Sequence, residues 1–160
     1  MKIRPLDAAD RSWVQRTVAE YFGSPRIVSR GVLYESASLP GLVAERDGEP
    51  VGLLQYSIER DECQVVVLIA AVRRQGIGRA LLGAVQPVAR AAGCRRLWLV
   101  TIRNNHIAVS FYGAIGWRQV AVHRGAARLA RRLKPGMPEI DAQGEPIEDE
   151  IEFELSLEGA

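Results

Sequence analysis

Apolar and polar positions along the first half of the chain predict a strand, a helix and then three more strands. Residues 2–6 form the strand. Asp7 is a predicted helix N-cap, and the residues after it that recur at helical spacing are Trp13, Val14, Thr17, Val18, Tyr21 and Phe22. Residues 25–38 are ambiguous and favour a short helix followed by a loop. The three later strands lie between residues 41 and 72. The third of them, near residues 62–70, is apolar on both faces, which predicts a central strand.

The second half alternates helices with strands. Helices are predicted over 78–92, with a kink at Pro87, and over 105–115 and 126–134, and strands over 95–101, 117–123 and 150–157. In the last strand Ile151, Phe153, Leu155 and Leu157 are predicted to face inward, and Glu150, Glu152 and Glu154 outward. A strand, a helix and a strand around residue 76 imply a parallel pair, so the fold class is α/β with a mixed sheet.

Composition favours one soluble domain. The chain has 160 residues, of which 48% are hydrophobic and 25% charged. A chain of this length can form a hydrophobic core without disulfide bonds or structural metal ions. The first residues lack the apolar run of a signal peptide, and no stretch approaches the roughly 18 apolar residues of a membrane span, so we expect a cytoplasmic protein without membrane contact. Cys63 and Cys94 lie in apolar surroundings without a metal-binding pattern, so we expect reduced core thiols and no metal site.

Charge is segregated along the chain. Residues 63–138 contain twelve Arg, one Lys and no acidic residue, whereas residues 139–160 contain nine acidic residues and no basic one. The basic stretch suits a polyanionic ligand, and an acidic tail folded back onto it is the alternative. Nucleic-acid binding is a further reading, prompted by the basic helix near Arg124, but only 6% of residues are aromatic and no nucleic-acid motif is present.

The stretch "VVVLIAAVRRQGIGRALLGAV" runs from an apolar strand through a basic, glycine-paired turn into a helix. A helix N-terminus offers unpaired N–H groups and partial positive charge, so residues 73–79 are a credible pyrophosphate cradle. The P-loop pattern is absent because Ala84 and Val85 follow Gly83 where Lys and Ser or Thr are needed. A dinucleotide fingerprint is absent because Leu81 replaces its third glycine and no acidic residue follows to hold a ribose.

Two motifs resemble those of the GNAT acetyltransferase superfamily. "RRQGIGRALL" is similar to its acyl-CoA loop, [RQ]-x-x-G-x-[GA], with Arg73, Gly76 and Gly78 at the three fixed positions. "NHIAVSFYGAIGW" is similar to a second family element, with Asn105, Ala108, Tyr112, Gly116 and Trp117 at its positions. The two occur in the expected order, and the segment "RRLKPGMPEIDAQGEPIEDEIEFEL" also resembles one bacterial branch of the superfamily.

The resemblance implies a single GNAT domain over residues 1–160. Its twisted mixed sheet would have about seven strands, splayed between the fourth and fifth and flanked by helices. It implies direct transfer of an acetyl group from acetyl-CoA, the cosubstrate, to an amine. The cofactor-binding positions would be Val66, Val67 and Leu68 for the acetyl and pantetheine amides, Arg73, Arg74, Gln75, Gly76, Ile77, Gly78 and Arg79 for the pyrophosphate, and Asn105 for the cofactor arm.

The same resemblance assigns catalytic roles. Tyr112 would be the general acid that protonates the leaving thiolate, and a core tyrosine beside Phe111 is the alternative. Glu62 would be the general base, and a solvated turn carboxylate is its alternative, while many relatives pass the proton through water. The family's other base position is Val100 here, and Ala70 stands where the family often has proline.

The acceptor remains open at this stage. It could be a small molecule or a peptide amine, and Tyr34, Glu35, His123 and Asp149 are candidates to border it, with Asp149 more readily pairing with an arginine such as Arg124. The resemblance allows a homodimer and involves no nucleic acid. A GNAT-fold acyl-CoA sensor without transferase activity is the main alternative function.

Overall fold

A computed structural model describes residues 1–72 and 74–158. Four helices occupy Arg11–Phe22 (α1), Ile77–Ala91 (α2), His106–Ala114 (α3) and Ala126–Leu133 (α4). Nine strands occupy Lys2–Pro5 (β1), Arg26–Ser29 (β2), Val32–Glu35 (β3), Gly41–Arg46 (β4), Glu49–Glu59 (β5), Glu62–Ala70 (β6), Arg96–Ile102 (β7), Arg118–His123 (β8) and Glu150–Ser156 (β9). Short 3₁₀ turns lie at Ala8–Asp10 and Ser36–Ser38.

The sheet confirms the predicted mixed α/β class. Seven strands follow the order β1-β4-β5-β6-β7-β9-β8, and β2 pairs with β3 separately. The chain divides into two compact units, the first comprising 1–27, 34–97 and 156–160 and the second 28–33 and 98–155. The single-domain organisation over 1–160 stays a prediction.

The first unit is built on the antiparallel strands β1, β4, β5 and β6. One face of these strands packs against α1, where Val14 and Val18 meet Leu53, Val67 and Ile69 in a buried cluster. Asp7 caps the turn that leads into α1, as predicted, by accepting from the N–H of Ala9 at 2.8 Å. In β6, Val67 and Ile69 are two residues apart and both lie in this cluster, as the strand period requires.

Helix α2 packs against the other face of these strands, and Gly52 of β5 determines how closely the helix approaches the strand. A Cβ built on Gly52 would lie 2.5 Å from Cγ2 of Ile77 and 3.1 Å from Cδ1 of Leu81. Ile77 is the first residue of α2 and is almost fully buried. The first turn of the helix is therefore seated directly on the strand at a point where only glycine fits. The helix continues through Pro87, whose ring lies on the exposed side.

Residues 25–38 are the main error of the sequence prediction. They form the strands β2 and β3 and a 3₁₀ turn in place of a short helix and loop. Arg30 and Gly31 connect the strands, both with positive φ (49° and 79°). Two adjacent left-handed residues make a tight hairpin turn, which reverses the chain before helical spacing can develop.

The second unit contains α3, α4, β8 and β9. β8 and β9 are antiparallel, with Val122 opposite Ile151 and His123 opposite Glu150. Ile151, Phe153 and Leu157 are buried, as predicted, and Leu155 is partly buried. Glu150 contradicts the prediction because it is only 6% exposed, on a strand whose other glutamates are partly exposed.

The acidic tail does fold onto basic residues of the preceding stretch. Within the second unit Arg118 pairs with Glu154 at 2.8 Å, His123 with Glu152 at 2.9 Å and Arg103 with Asp149 at 3.3 Å. In the two arginine pairs the arginine side chain is exposed, and exposed pairs of this kind contribute little free energy each, so their main effect is to balance local charge. None of the helices in the described part of the chain combines the length and apolar character needed to cross a bilayer.

Replacing Gly52 by alanine should destabilise the protein by about 1–3 kcal/mol, because the added methyl group overlaps Ile77 and must displace α2. The matched control is Gly83→Ala in the interior of α2, where an added methyl group would meet nothing within 4 Å apart from its chain neighbours and the backbone of its own helix. That change should stabilise by up to ~1 kcal/mol through helix propensity. Urea denaturation measures both, and equal free energies of unfolding for the two variants would contradict the close-packing argument.

Candidate active site

An irregularity in β6 coincides with the segment predicted to bind the acetyl group. Gln55 of β5 lies opposite Val67 and Tyr56 lies opposite Val65, so Val66 has no residue facing it. A bulge of this kind interrupts the ladder and leaves a backbone group without its strand partner. The side chains of Val66 and Leu68 are partly buried, while that of Val67 is fully buried in the core. Val66–Leu68 therefore combines a fixed backbone with an interrupted hydrogen-bond ladder.

The turn after β6 leads into a helix N-terminus that none of the described side chains caps. Arg74 and Gly76 have left-handed backbones (φ 62° and 74°), and α2 begins at Ile77 without an acidic residue in its first turn. The N–H of Ala80 makes the first helical bond, to the carbonyl of Gly76 at 2.9 Å. The N–H groups of Ile77, Gly78 and Arg79 precede that bond and are the donors that a helix leaves for an anion.

The other positions of the predicted loop differ in what they contact. Gln75 accepts a hydrogen bond from the guanidinium of Arg46, which ties the turn to β4. Arg74 and Arg79 belong to the described residues and add positive charge near the helix start. The prediction for Arg73 falls outside the described residues.

Asn105 lies at the N-cap of α3. Its Oδ1 accepts from the N–H of Ala108 at 3.1 Å, and the residue is exposed. Its amide nitrogen bonds to none of the described residues. The side chain is thus oriented by the helix and keeps two N–H donors for a ligand.

Tyr112 is both a core residue and a protonated phenol. It is 8% exposed, and its ring lies 5.3 Å from that of Phe111, 5.5 Å from that of Phe153 and 5.9 Å from that of Trp117. Burial raises the pKa of Tyr112 to about 12, so the hydroxyl keeps its proton at neutral pH. Across 1–72 and 74–158 that hydroxyl has no hydrogen-bond partner.

Glu62 is engaged in ion pairs at the start of β6. Its Oε1 accepts from Nε of Arg96 at 2.7 Å, and its Oε2 lies 3.8 Å from a guanidinium nitrogen of Arg95. Two residues along the strand, Gln64 is buried and accepts from the hydroxyl of Tyr34 at 3.2 Å. Glu62 is therefore a partly exposed, arginine-bound carboxylate, which is a different environment from a solvated turn acid.

The remaining predicted acceptor residues have structural partners. Asp149 accepts from the N–H of Gly125 at 2.9 Å, which, with Arg103, lowers the pKa of its carboxyl. The arginine bonded to Asp149 is Arg103, in place of the suggested Arg124. Glu35 pairs with Arg26 at 2.8 Å, and His123 pairs with Glu152.

Glu150 was missed by sequence reasoning. It lines a cavity of about 250 Å³ in the second unit, whose other walls are Arg30, Gly31, Ala126, Leu129, Ala130 and Leu133. Its carboxyl makes no hydrogen bond to any residue the structure describes, and burial raises its pKa although Arg30 and His123 oppose the effect. The alternating pattern of β9 predicted that Glu150 faces outward, because its burial depends on α4 and on the turn at Arg30, which lie elsewhere in the sequence.

Comparison with known proteins identifies the family of this chain. Residues 9–117 match the model of the acetyltransferase (GNAT) family. The chain is 35% identical to the uncharacterized protein YdhI of Bacillus subtilis over 136 residues, which are 84% of this chain and 85% of that protein. The protein is a member of the GNAT family.

Solved structures share its fold. An N-acetyltransferase from Staphylococcus aureus Mu50 superimposes with a TM-score of 0.72 at 15% identity, covering 98% of each chain. A GNAT family acetyltransferase from Elizabethkingia anophelis, solved with acetyl-CoA bound, has a TM-score of 0.69 at 18% identity and covers 97% of each chain. In the described residues no group of three or more His, Cys, Asp or Glu side chains is arranged to hold a metal ion.

The two cysteines should be unreactive in the folded protein. Cys63 and Cys94 are free and buried, and burial raises the pKa of the Cys63 thiol to about 12. A disulfide reagent added to native protein should therefore release no thiol signal, and two thiols per chain should react after unfolding in urea. Rapid labelling of the native protein would contradict the buried placement.

Proposed function

We propose that this protein transfers an acetyl group from acetyl-CoA to a primary amine. The observation that carries the proposal is the N-terminus of α2, which begins within the basic segment "RRQGIGR" and is capped by none of the described side chains, in a chain of the GNAT family. Acetyl-CoA bound in a structure of the same fold supports this cosubstrate. Soluble cytoplasmic location and a homodimer remain expectations from the sequence.

The residues present fit a pyrophosphate. The N–H groups of Ile77, Gly78 and Arg79 form a fixed set of donors, and the positive φ of Gly76 suits a backbone that curves around an anion. The arginine side chains at 73, 74 and 79 would add charge-assisted bonds. Gln75, held by Arg46, would keep the turn in its binding shape. The Asn105 amide would donate to the cofactor arm.

The thioester end would be held by β6. Acetyl-CoA supplies an acetyl group activated as a thioester. Backbone groups of Val66, Val67 and Leu68 would bond its amides, and an N–H freed by the bulge would donate to the thioester carbonyl oxygen. Donors of this kind stabilise the negative charge that develops on the oxygen as the amine attacks.

Tyr112 would act as the general acid. In the transfer a C–N bond forms, the C–S bond breaks, the amine loses a proton and the sulfur gains one. A phenol with a pKa of about 12 stays protonated and can donate to the departing thiolate. The aromatic packing around Tyr112 would hold the hydroxyl in one direction.

The amine side of the reaction would use carboxylates. Glu150 offers a carboxyl that bonds to none of the described residues, in a cavity whose walls are aliphatic apart from Arg30. Such a group would suit an ammonium ion attached to an apolar body. Glu62 is the proposed base. From its position beside Arg96 it would accept the amine proton directly or through a water molecule.

Tyr112→Phe should lower kcat at least 100-fold with little change in KM for acetyl-CoA, because it removes the acid but keeps the packing. CoA release by a thiol reagent, with acetyl-CoA and a broad panel of amines, measures the effect. Unchanged turnover would return Tyr112 to a purely structural role.

No turnover of the wild-type protein with any amine, together with a higher melting temperature in acetyl-CoA, would favour the sensor. No effect of acetyl-CoA on melting would contradict the proposed pyrophosphate site.

Glu150→Gln should raise KM for the acceptor about tenfold or more while KM for acetyl-CoA stays constant, because the ammonium loses its counter-charge. In the wild type the acceptor KM should rise as pH falls, since the raised pKa means that Glu150 takes up a proton above the ordinary carboxyl range. The variant should lose this pH dependence. Glu148→Gln, an exposed neighbour, is the control. An equal effect of both changes would remove Glu150 from the acceptor site.

A further inference from the structure

Besides the cavity at Glu150 in the second unit, the structure has a cavity in the first unit that does not include the N-terminus of α2. It has a volume of about 390 Å³ and lies between the start of α1 and residues 36–40, with Gln55 of β5 among its lining residues. This is more than ten times the roughly 30 Å³ that one water occupies in the liquid. Leu6, Val14, Leu39 and Pro40 supply apolar walls.

Gln55 has a fixed orientation in this cavity. It is fully buried, and its Nε2 donates to the carbonyl of Ser36 at 2.7 Å and to that of Leu39 at 3.3 Å. Turning the amide over would place its oxygen against two carbonyl oxygens, so the nitrogen must face them. Oε1 is left buried without a hydrogen-bond partner among the described residues.

Ser36 presents a second unpaired group. It is 1% exposed, and its Oγ likewise has no partner in the part of the chain that the structure describes. Its backbone is held by a bond from its N–H to the carbonyl of Pro25 at 3.0 Å and by Gln55. Buried polar atoms without partners are costly and uncommon, so two at one cavity indicate that something else completes them.

The two groups define the chemistry of an occupant. Gln55 Oε1 requires a donor, and the Ser36 hydroxyl can donate to an acceptor, which together match the N–H and C=O of a carboxamide. Both protein groups are neutral, so a buried charge would find no counter-charge there. The charged lining residues are exposed and already bonded, Asp7 to the N–H of Ala9 and Arg11 to the carbonyl of Ala37.

We propose that this cavity binds a small neutral molecule that presents a carboxamide to Gln55 and Ser36 and an apolar body to the surrounding walls. The proposal does not depend on the transferase reaction, because its test measures ligand binding without turnover. Every residue it uses lies in the first unit, where the backbone of Gln55 pairs with that of Val67, one of the proposed acetyl-CoA positions. Ordered water alone is the competing occupant.

Benzamide is the probe, titrated into the full-length protein while NMR follows the side-chain amide of Gln55. A saturable shift is expected, with methyl benzoate and benzoate binding at least tenfold more weakly because neither offers a neutral N–H donor. This comparison of ligands needs no variant, so it stands even if a substitution impairs folding.

Ser36→Ala tests the second contact. It should weaken benzamide binding about three- to tenfold and leave the free protein as stable as the wild type or more stable, since an unpaired hydroxyl is removed. Ser38→Ala, an exposed lining residue in the same turn, should change neither. Absence of a saturable shift, equal affinity for methyl benzoate, or equal effects of the two serine changes would each overturn the proposal in favour of a cavity filled by water.

Discussion

The contact between Gly52 and Ile77 is the constraint on which the candidate site depends. A helix can present its N-terminal N–H groups to a ligand only if its first turn is held rigidly, and here that turn is seated on β5 where no Cβ fits. The apolar residues of α2 then follow into the core, with Leu81, Leu82, Val85 and Ala89 buried. Binding geometry at the turn is thus a consequence of strand-to-helix packing.

Unsatisfied polar groups distinguish both units from ordinary cores. In the first unit Gln55 and Ser36 are buried without complete hydrogen bonding, and in the second Glu150 is buried without a bonded counter-charge. Elsewhere buried polar residues are paired, as Asp10 is with Arg4 at 2.7 Å, where the guanidinium lowers the pKa of the carboxyl to about 2. Because leaving such groups unpaired costs stability, their presence at cavities favours ligand binding over packing as their role.

Local patterns predicted most elements, because helical spacing and alternation report directly on which face is buried. The boundaries of α2, β7, α3 and β9 lie within a residue of the predicted ones. Residues 25–38 failed because their hairpin depends on left-handed backbones at Arg30 and Gly31, which spacing does not reveal. The sequence did not decide whether Glu62 is a base or a solvated acid, because its partner Arg96 lies on β7, more than 30 residues further along the chain.

The sequence by itself determined the family, the mixed α/β class and the positions of the glycine turn, Asn105 and Tyr112. These follow from short motifs and periodic patterns that are legible within about a dozen residues. Only the tertiary structure decided that Val66 sits at a bulge, that Gln55 and Glu150 are buried at cavities, and that Asp149 bonds to Arg103. Register, burial and ion pairing arise between segments distant in sequence, so no local pattern encodes them.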